Sequence, residues 1–151
     1  MPSLEMKIPP LLQLVLALAL AWFIAGRPET FLWSNVLVGA VLAAVGAIIA
    51  TLAFLQFLMS GTSSDPRASA DGPQHFVSTG LFAWSRNPMY LGFALVLTGW
   101  IMAIGSLWGG IVLPAFVDIL TRLQIEPEER LMRSRFGSAY DAYAARVRRW
   151  I

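Results

Sequence analysis

The chain has 151 residues, of which 57% are hydrophobic and 13% are charged, and its mean hydropathy is +0.64. A soluble domain normally carries about 25% charged residues, so this composition predicts a single integral membrane domain over residues 1–151. The absence of cysteine excludes disulfides, thiolate nucleophiles, iron–sulfur clusters and zinc–thiolate sites. The formal net charge is only +2, and no nucleic-acid partner is expected.

Four apolar runs predict four membrane-spanning helices, at residues 8–26, 31–59, 88–104 and 108–124. The first run is about long enough for a hydrocarbon core of ~30 Å. The second is longer than a span requires, and its glycines and alanines suit close packing against another helix. Pro88 fits the first turn of the third helix, because the missing N–H is not needed there. The third and fourth runs are short, so we expect a hairpin of short helices.

Two polar segments complete the predicted all-α fold. Residues 60–87 form a long loop, and loops of this length in compact domains are usually functional or disordered. Residues 126–151 form a tail in which Pro127 fits a helix start and Gly137 a helix end. Apolar side chains recur near helical spacing at Met132, Phe136, Tyr140, Tyr143 and Val147. This pattern predicts an amphipathic helical tail at the membrane surface, not a fifth span.

The positive charges are distributed unevenly along the chain. If there are four spans, ten of the eleven Lys and Arg residues share one side, and only Arg27 lies on the other. The positive-inside rule then places both termini, the long loop and the tail in the cytoplasm. All the polar segments that offer chemistry therefore lie on one face.

Arg86 and Tyr90 flank the point where the polar loop enters the third apolar run. One interpretation is that they anchor the helix at the interface, with Arg86 extended toward water and Tyr90 in the aromatic belt. The other is that Arg86 binds a carboxylate or phosphate while Tyr90 lines a pocket. From the residues alone, these two interpretations are equally supported.

Glu128 and Glu129 follow the fourth apolar run, on the same predicted side as Arg86. Acidic residues suit the first turn of a helix, where Glu126 and Glu129 would pair with the arginines four residues further on. The alternative is that Glu128 and Glu129 contact a ribose diol or an amino group of a ligand.

Two other titratable residues call for a structural interpretation. Asp118 lies within the fourth apolar run, and an ion pair with Arg122, one turn further on, is the preferred account. His75 is the only histidine, and with no second histidine or cysteine a metal site is not expected.

Residues 75–92, HFVSTGLFAWSRNPMYLG, resemble the signature of the isoprenylcysteine carboxyl methyltransferase family, which runs roughly H-x-V-x-x-G-x-Y-x-x-x-R-H-P-x-Y-x-G. The tail is similar to that family's tail at residues 128–131, 136–137, 140, 143 and 147–150. The resemblance covers about the last eighty residues. The wider superfamily includes phospholipid N-methyltransferases.

This resemblance implies an integral membrane methyltransferase that uses S-adenosylmethionine. The cofactor would lie in a cytoplasmic pocket formed by the loop, the start of the third helix and the tail. Arg86, Tyr90 and Glu129 are the implied catalytic candidates, with no metal. The implied cofactor-binding residues are His75, Val77, Gly80, Arg86, Asn87, Pro88, Tyr90, Leu91, Gly92, Glu128 and Glu129.

Two departures from the family pattern bear on the acceptor. Asn87 replaces the usual histidine, and Phe82 replaces the usual tyrosine. We expect a lipophilic acceptor that enters from the bilayer, with isoprenylcysteine-type carboxyl methylation first and phospholipid N-methylation as the alternative. A non-catalytic membrane scaffold is the alternative from a different class. The short length resembles prokaryotic members, so a prokaryotic cytoplasmic membrane is the expected location.

Overall fold

The computed structural model describes residues 5–26, 33–60, 76–105 and 108–151, and every regular element in these ranges is helical. Short 3-10 turns at Gly80–Ala83 and Trp108–Ile111 precede two of the α-helices, and a π-helical turn lies at Thr121–Ile125. The predicted all-α fold is confirmed for the described residues. The α-helices are α1 (Pro10–Ala25), α2 (Trp33–Met59), α3 (Pro88–Ile104), α4 (Val112–Leu120), α5 (Glu126–Phe136) and α6 (Ser138–Arg146).

Two helical runs in the described residues are long and apolar enough to cross a membrane, where four were expected. They are Val36–Met59, within α2, and the uninterrupted run Trp108–Phe136. Helices α1 and α3 have 16 and 17 residues. At about 1.5 Å per residue they extend for about 24 and 26 Å, short of a hydrocarbon core of ~30 Å. The prediction of four full spans is therefore wrong for these two helices.

Helices α2 and α3 lie antiparallel in close contact, through small residues that face each other. A Cβ atom on Gly46 would lie 2.6 Å from the Gly92 carbonyl oxygen, and one on Gly39 would meet the Gly99 carbonyl oxygen. Both pairs bring the two backbones together, as small residues do at helix interfaces in membranes. The predicted packing role of the small residues in the second run is confirmed.

Large apolar side chains cover the outer faces of α1 and α2. Phe23 is 83% exposed and Leu37 is 68% exposed, and Val41 and Ile48 are similarly accessible. Water would not tolerate such a surface, whereas lipid does. The buried core lies between α1, α3 and α4, where Leu97 and Leu120 have no exposed surface.

Helix α5 continues α4 without a break, although the sequence predicts a new helix at Pro127. The Glu126 N–H donates to the Thr121 carbonyl, five residues back, which is the π-helical pattern. Pro127 has no N–H to donate to the Leu123 carbonyl, four residues back. The Met6 N–H fills this position instead, at 2.8 Å. The expected boundary between the fourth span and the tail is thus a change of helical pitch.

The segment before α1 is held against this junction by its own polar contacts. Arg130 Nη2 lies 2.7 Å from Glu5 Oε2. The buried Gln124 donates to the Ile8 carbonyl through Nε2, at 2.6 Å. The start of the described chain is therefore fixed to the start of α5.

The tail breaks at Gly137, as predicted, because its φ of +50° lies in the region that favours glycine. Helix α6 then turns back so that Tyr140 and Tyr143 are buried, at 5% and 4% exposure. Both rings pack against Phe76. Tyr140 and Tyr143, which the sequence places on the apolar face of a membrane-surface helix, instead pack against the segment that precedes α3.

Candidate active site

A cavity of about 190 Å³ lies where the segment before α3 meets α5 and α6. Its walls come from five parts of the chain, namely the segment before α3, the start of α3, α5, α6 and Phe57 of α2. The lining residues are Phe57, Phe76, Val77, Phe82, Arg86, Asn87, Pro88, Met89, Tyr90, Glu128, Glu129, Met132, Tyr140 and Tyr143. Charged groups of both signs thus share one cavity with an aromatic wall.

Glu129 is the centre of a buried ion-pair cluster. It is 4% exposed, and its Oε2 and Oε1 lie 2.8 and 3.1 Å from the Arg149 Nη2 and Nε atoms. Arg86 approaches the same carboxylate less closely, with Nη2 at 3.4 Å from Oε1. The hydrogen bonds to Glu129 raise the pKa of the Arg149 guanidinium above its ordinary value. Arg149 therefore remains charged.

The i,i+4 ion pairs predicted for the start of this helix are not the ones that form. Glu126 lies 3.7 Å from Arg149, not beside Arg130. Arg133 pairs with Asp141 instead of Glu129, at 3.3 Å. The reason is that α6 and the chain end return alongside α5 and supply closer partners. The predicted Asp118–Arg122 pair is confirmed, at 2.9 Å.

Tyr90 and Glu128 form a second polar contact in the cavity wall. The Tyr90 hydroxyl donates to Glu128 Oε1 at 2.6 Å, and Tyr90 is 7% exposed. No ion pair to Glu128 occurs among the described residues. Glu128 is therefore a lining carboxyl group with no described cation beside it.

The Arg86 side chain does not use all of its hydrogen-bond donors among the described residues. Its side chain is 12% exposed, and Nε is buried with no partner among the described residues. Leaving a charged donor buried and unpaired is costly unless a bound group completes it. This atom marks the position at which the cavity suits an anionic group.

Residues 147–150, which we call the C-terminal strap, run across the segment that leads into α3. The Arg86 N–H donates to the Arg148 carbonyl at 3.0 Å. The Asn87 side-chain Nδ2 donates to the Arg149 carbonyl at 2.9 Å, and Ser85 Oγ donates to the same oxygen at 3.4 Å. The strap is thereby bonded to the three residues that precede Pro88.

Phe76, Tyr140 and Tyr143 form the aromatic wall of the cavity. Tyr143 donates its hydroxyl to the Phe82 carbonyl at 2.7 Å. Burial, followed by the neighbouring Tyr140, raises the pKa of Tyr143 to about 12. Burial and the charge of Glu129 also raise the pKa of Tyr140. Both rings are therefore neutral at physiological pH and present apolar faces with protonated hydroxyls.

The structure brings together seven of the residues that the sequence assigned to the site. The cavity lining includes Val77, Arg86, Asn87, Pro88, Tyr90, Glu128 and Glu129. Gly80, Leu91 and Gly92 do not line it. Gly80 forms a turn at φ +57° against Gln56, and Gly92 contacts α2 at Gly46. His75 lies outside the described residues, as do Arg27, Arg67 and residues 61–75 of the predicted loop.

Several lining residues were not predicted from the sequence as site residues. Phe57, Phe76, Phe82, Met89, Met132, Tyr140 and Tyr143 belong to this group. The helical spacing of Met132, Tyr140 and Tyr143 predicts only that they share one face of a surface helix. Arg149, beside the cavity, belongs to the tail segment that resembles the methyltransferase pattern.

The side chains at the cavity suit an organic cofactor. No group of three or more His, Cys, Asp or Glu residues capable of holding a metal occurs among the described residues. Arg86 offers an unpaired donor for a carboxylate, Glu128 offers acceptor oxygens, and the aromatic wall offers flat apolar surface. S-Adenosylmethionine carries a carboxylate, hydroxyl and amino groups, a flat base and a cationic sulfur. The residues present fit this molecule.

Comparison with known proteins places the chain in a family. The model of the family described as phospholipid methyltransferase (PEMT) matches residues 34–139, which include nearly all of α2 and the whole of α3, α4 and α5. A protein of Haemophilus influenzae (strain ATCC 51907 / DSM 11121 / KW20 / Rd), named only "Uncharacterized protein", is 35% identical over 65 residues. That match covers 42% of this chain and all of the relative. No solved structure matches the chain. The chain is thus an integral membrane protein and belongs to the phospholipid methyltransferase family.

Proposed function

We propose that this protein transfers a methyl group from S-adenosylmethionine to a lipophilic acceptor in the membrane. One observation carries the proposal. A single cavity joins a partly unpaired Arg86, the carboxylate of Glu128 and an aromatic wall. The family match supports methyl transfer, and the apolar outer faces of the helices support a substrate delivered by the bilayer.

The cavity residues divide between the parts of the cofactor according to their chemistry. Arg86 holds the carboxylate, because a guanidinium pairs with it by charge and by directed hydrogen bonds. Glu128 accepts hydrogen bonds from the ribose hydroxyls or the amino group. The rings of Phe76 and Tyr140 pack against the base or the cationic sulfur. When bound, S-adenosylmethionine supplies a methyl group made electrophilic by that positive sulfur.

The first candidate acceptor is the amino group of an aminophospholipid. The family description names phospholipids, and Glu128 is a lining carboxylate with no described cation beside it. An ammonium acceptor must lose a proton before its nitrogen can take a methyl group. For this acceptor, Glu128 serves the ammonium instead of the cofactor, since its carboxylate both attracts the ammonium and accepts that proton.

The second candidate acceptor is a carboxylate on a lipid-modified group, as in isoprenylcysteine-type methylation. Two observations favour it, namely the resemblance of residues 75–92 and the unpaired Nε of Arg86. A carboxylate needs no deprotonation at neutral pH, so this reaction depends on orientation more than on acid–base catalysis.

We propose that the cavity faces the cytoplasm. Arg86 lies at the same end of the molecule as the arginine-rich tail, since its backbone N–H is bonded to Arg148. Clustered arginines remain on the cytoplasmic side of bacterial and other membranes. This orientation gives a water-soluble cofactor direct access to the cavity.

Methyl transfer in liposomes tests the proposal and separates the two acceptors. Protein is supplied with methyl-labelled S-adenosylmethionine and either phosphatidylethanolamine or a prenylcysteine. Label in a base-stable headgroup supports the first acceptor, and label in a base-labile ester supports the second. Arg86→Gln should abolish transfer. Arg122→Gln is the matched control, because Arg122 is exposed and pairs only with Asp118 among the described residues.

A negative result in both the binding assay and the transfer assay would contradict the proposal. Folded wild-type protein that neither binds S-adenosylhomocysteine by calorimetry nor labels either acceptor would be a non-catalytic membrane module.

A further inference from the structure

Glu129 has two arginine partners that are not equivalent. Arg149 makes two hydrogen bonds to its carboxylate, at 2.8 and 3.1 Å. Arg86 makes one looser contact, at 3.4 Å. Because the carboxylate is buried, it attracts any nearby cation strongly. Arg149 therefore satisfies most of a charge that would otherwise draw the Arg86 guanidinium closer than its present 3.4 Å.

We propose that Arg149 and Asn87 are positioning residues. Asn87 fixes the C-terminal strap in place, and Arg149 on the strap neutralises Glu129, so that Arg86 stays available to the carboxylate of the cofactor. This inference rests on the proposed function, because it assigns the unpaired Nε of Arg86 to that ligand.

The bond from Asn87 to the strap requires a side-chain donor. The backbone N–H of Asn87 is used by Ser85 Oγ, at 3.1 Å, and that of Arg86 is used by the Arg148 carbonyl. The Arg149 carbonyl accepts from side chains instead, and the Asn87 amide reaches it at 2.9 Å. An amide keeps its N–H donors at every pH. The bond to the strap is thus a structural reason for asparagine at a position where the family that residues 75–92 resemble usually has a histidine.

Calorimetric binding of S-adenosylhomocysteine to full-length protein in detergent tests the role of Arg149. In Arg149→Ala, Glu129 recruits Arg86, and we expect the affinity to fall about tenfold or more, equivalent to about 1.4 kcal/mol. Arg148→Ala is the matched control, since it removes the same charge from an exposed neighbouring side chain of the strap. We expect that variant to bind within about twofold of wild type.

A double variant separates positioning from general destabilisation. In a Glu129→Gln background there is no carboxylate to recruit Arg86, so adding Arg149→Ala should change the affinity by less than about threefold. An equal loss in both backgrounds, or no loss from Arg149→Ala alone, would overturn the proposal.

Hydrogen exchange without ligand tests the role of Asn87. Asn87→Asp keeps the shape of the side chain but removes its N–H donors. We expect faster exchange at the Arg86 N–H, which is bonded to the strap, and unchanged exchange within α2. Unchanged exchange at Arg86 would overturn the role of Asn87. If wild-type protein fails to bind S-adenosylhomocysteine, the proposed function fails, whereas this experiment still judges the strap.

Discussion

The Tyr90–Glu128 contact couples the start of α3 to the start of α5 through one short hydrogen bond. Tyr90 is buried, so its hydroxyl has little access to water if Glu128 is lost. A hydrogen bond contributes about 0.5–1.5 kcal/mol, and leaving a buried partner unsatisfied costs about 1–3 kcal/mol. The two residues should therefore act as a unit in both stability and ligand binding.

Removing the Tyr90 hydroxyl should destabilise the protein measurably. We expect Tyr90→Phe to lower the free energy of unfolding by about 1–3 kcal/mol, because the Glu128 carboxylate loses its 2.6 Å donor. Glu128→Gln should cost less, since the amide oxygen still accepts from Tyr90. Denaturant unfolding in detergent gives both values, and additive losses in the double variant would contradict the coupling.

Tyr143 gives a prediction that depends on pH. Its folded-state pKa of about 12 exceeds the ordinary value of 10.0, so ionisation favours the unfolded chain. The stabilising contribution is complete below about pH 10 and is lost as the pH rises toward 12. Tyr143→Phe removes the hydrogen bond to the Phe82 carbonyl, which contributes about 1 kcal/mol at neutral pH.

Unfolding measured at about pH 8 and again near pH 11.5 checks this sign. Wild type should be more stable than Tyr143→Phe at the lower pH, and the difference should shrink at the higher one. A difference that grows with pH would show that the folded state favours the ionised phenol.

The polar residues of the site could be predicted from the sequence, whereas their hydrogen-bond and ion-pair partners could not. Arg86 and Glu129 stood out because charges are rare in a chain with 13% charged residues. The pairing of Glu129 with Arg149 spans 20 residues, and that of Asn87 with the Arg149 carbonyl spans 62. Such contacts depend on the path that α6 takes after Gly137. The helical spacing of apolar residues along the tail does not predict that path.

At the level of the elements, the helix boundaries that were predicted best are those set by a proline or a glycine. Pro88 starts α3 and Gly137 ends α5, each for a local steric reason. Pro127 lies at the first positions of α5, as predicted, but α5 continues directly from α4. This proline is tolerated inside a continuous helix because a π-helical turn precedes it and Met6 satisfies the Leu123 carbonyl. That compensation comes from a segment far away in sequence.

The α2–α3 interface should be intolerant of any larger side chain at its glycines. A Cβ on Gly92 would lie 2.7 Å from the Ala50 backbone nitrogen, so the two helices must separate to admit it. We expect Gly92→Leu to lower the free energy of unfolding by about 1–3 kcal/mol or more, and to shift the residues that line the cavity. Thermal unfolding and S-adenosylhomocysteine binding both report this change.

A glycine in open space supplies the control for this substitution. A Cβ atom added to Gly110 would have nothing within 4 Å, so Gly110→Leu should leave both measurements close to wild type. Equal effects from the two substitutions would mean that close approach of α2 and α3 does not determine stability.

At the scale of the whole molecule, the cavity is built by segments that are distant in the chain. Phe57 lies on α2, Arg86 precedes α3, Glu129 lies on α5 and Tyr143 on α6. The C-terminal strap then bonds back to the residues before Pro88. A ligand in this cavity contacts elements that must all be folded, so binding and global stability are linked.

Ligand binding should therefore stabilise the entire fold. At a free S-adenosylhomocysteine concentration of about 100 Kd, we expect the free energy of unfolding to rise by about 2.7 kcal/mol. Arg86→Gln should lose this gain, because the ligand carboxylate loses its donor, whereas Arg122→Gln, altered at an exposed ion pair, should keep it. Thermal unfolding of all three proteins with and without ligand decides the point. A gain retained in Arg86→Gln would move the cofactor site away from this cavity, because a ligand bound elsewhere stabilises both variants alike.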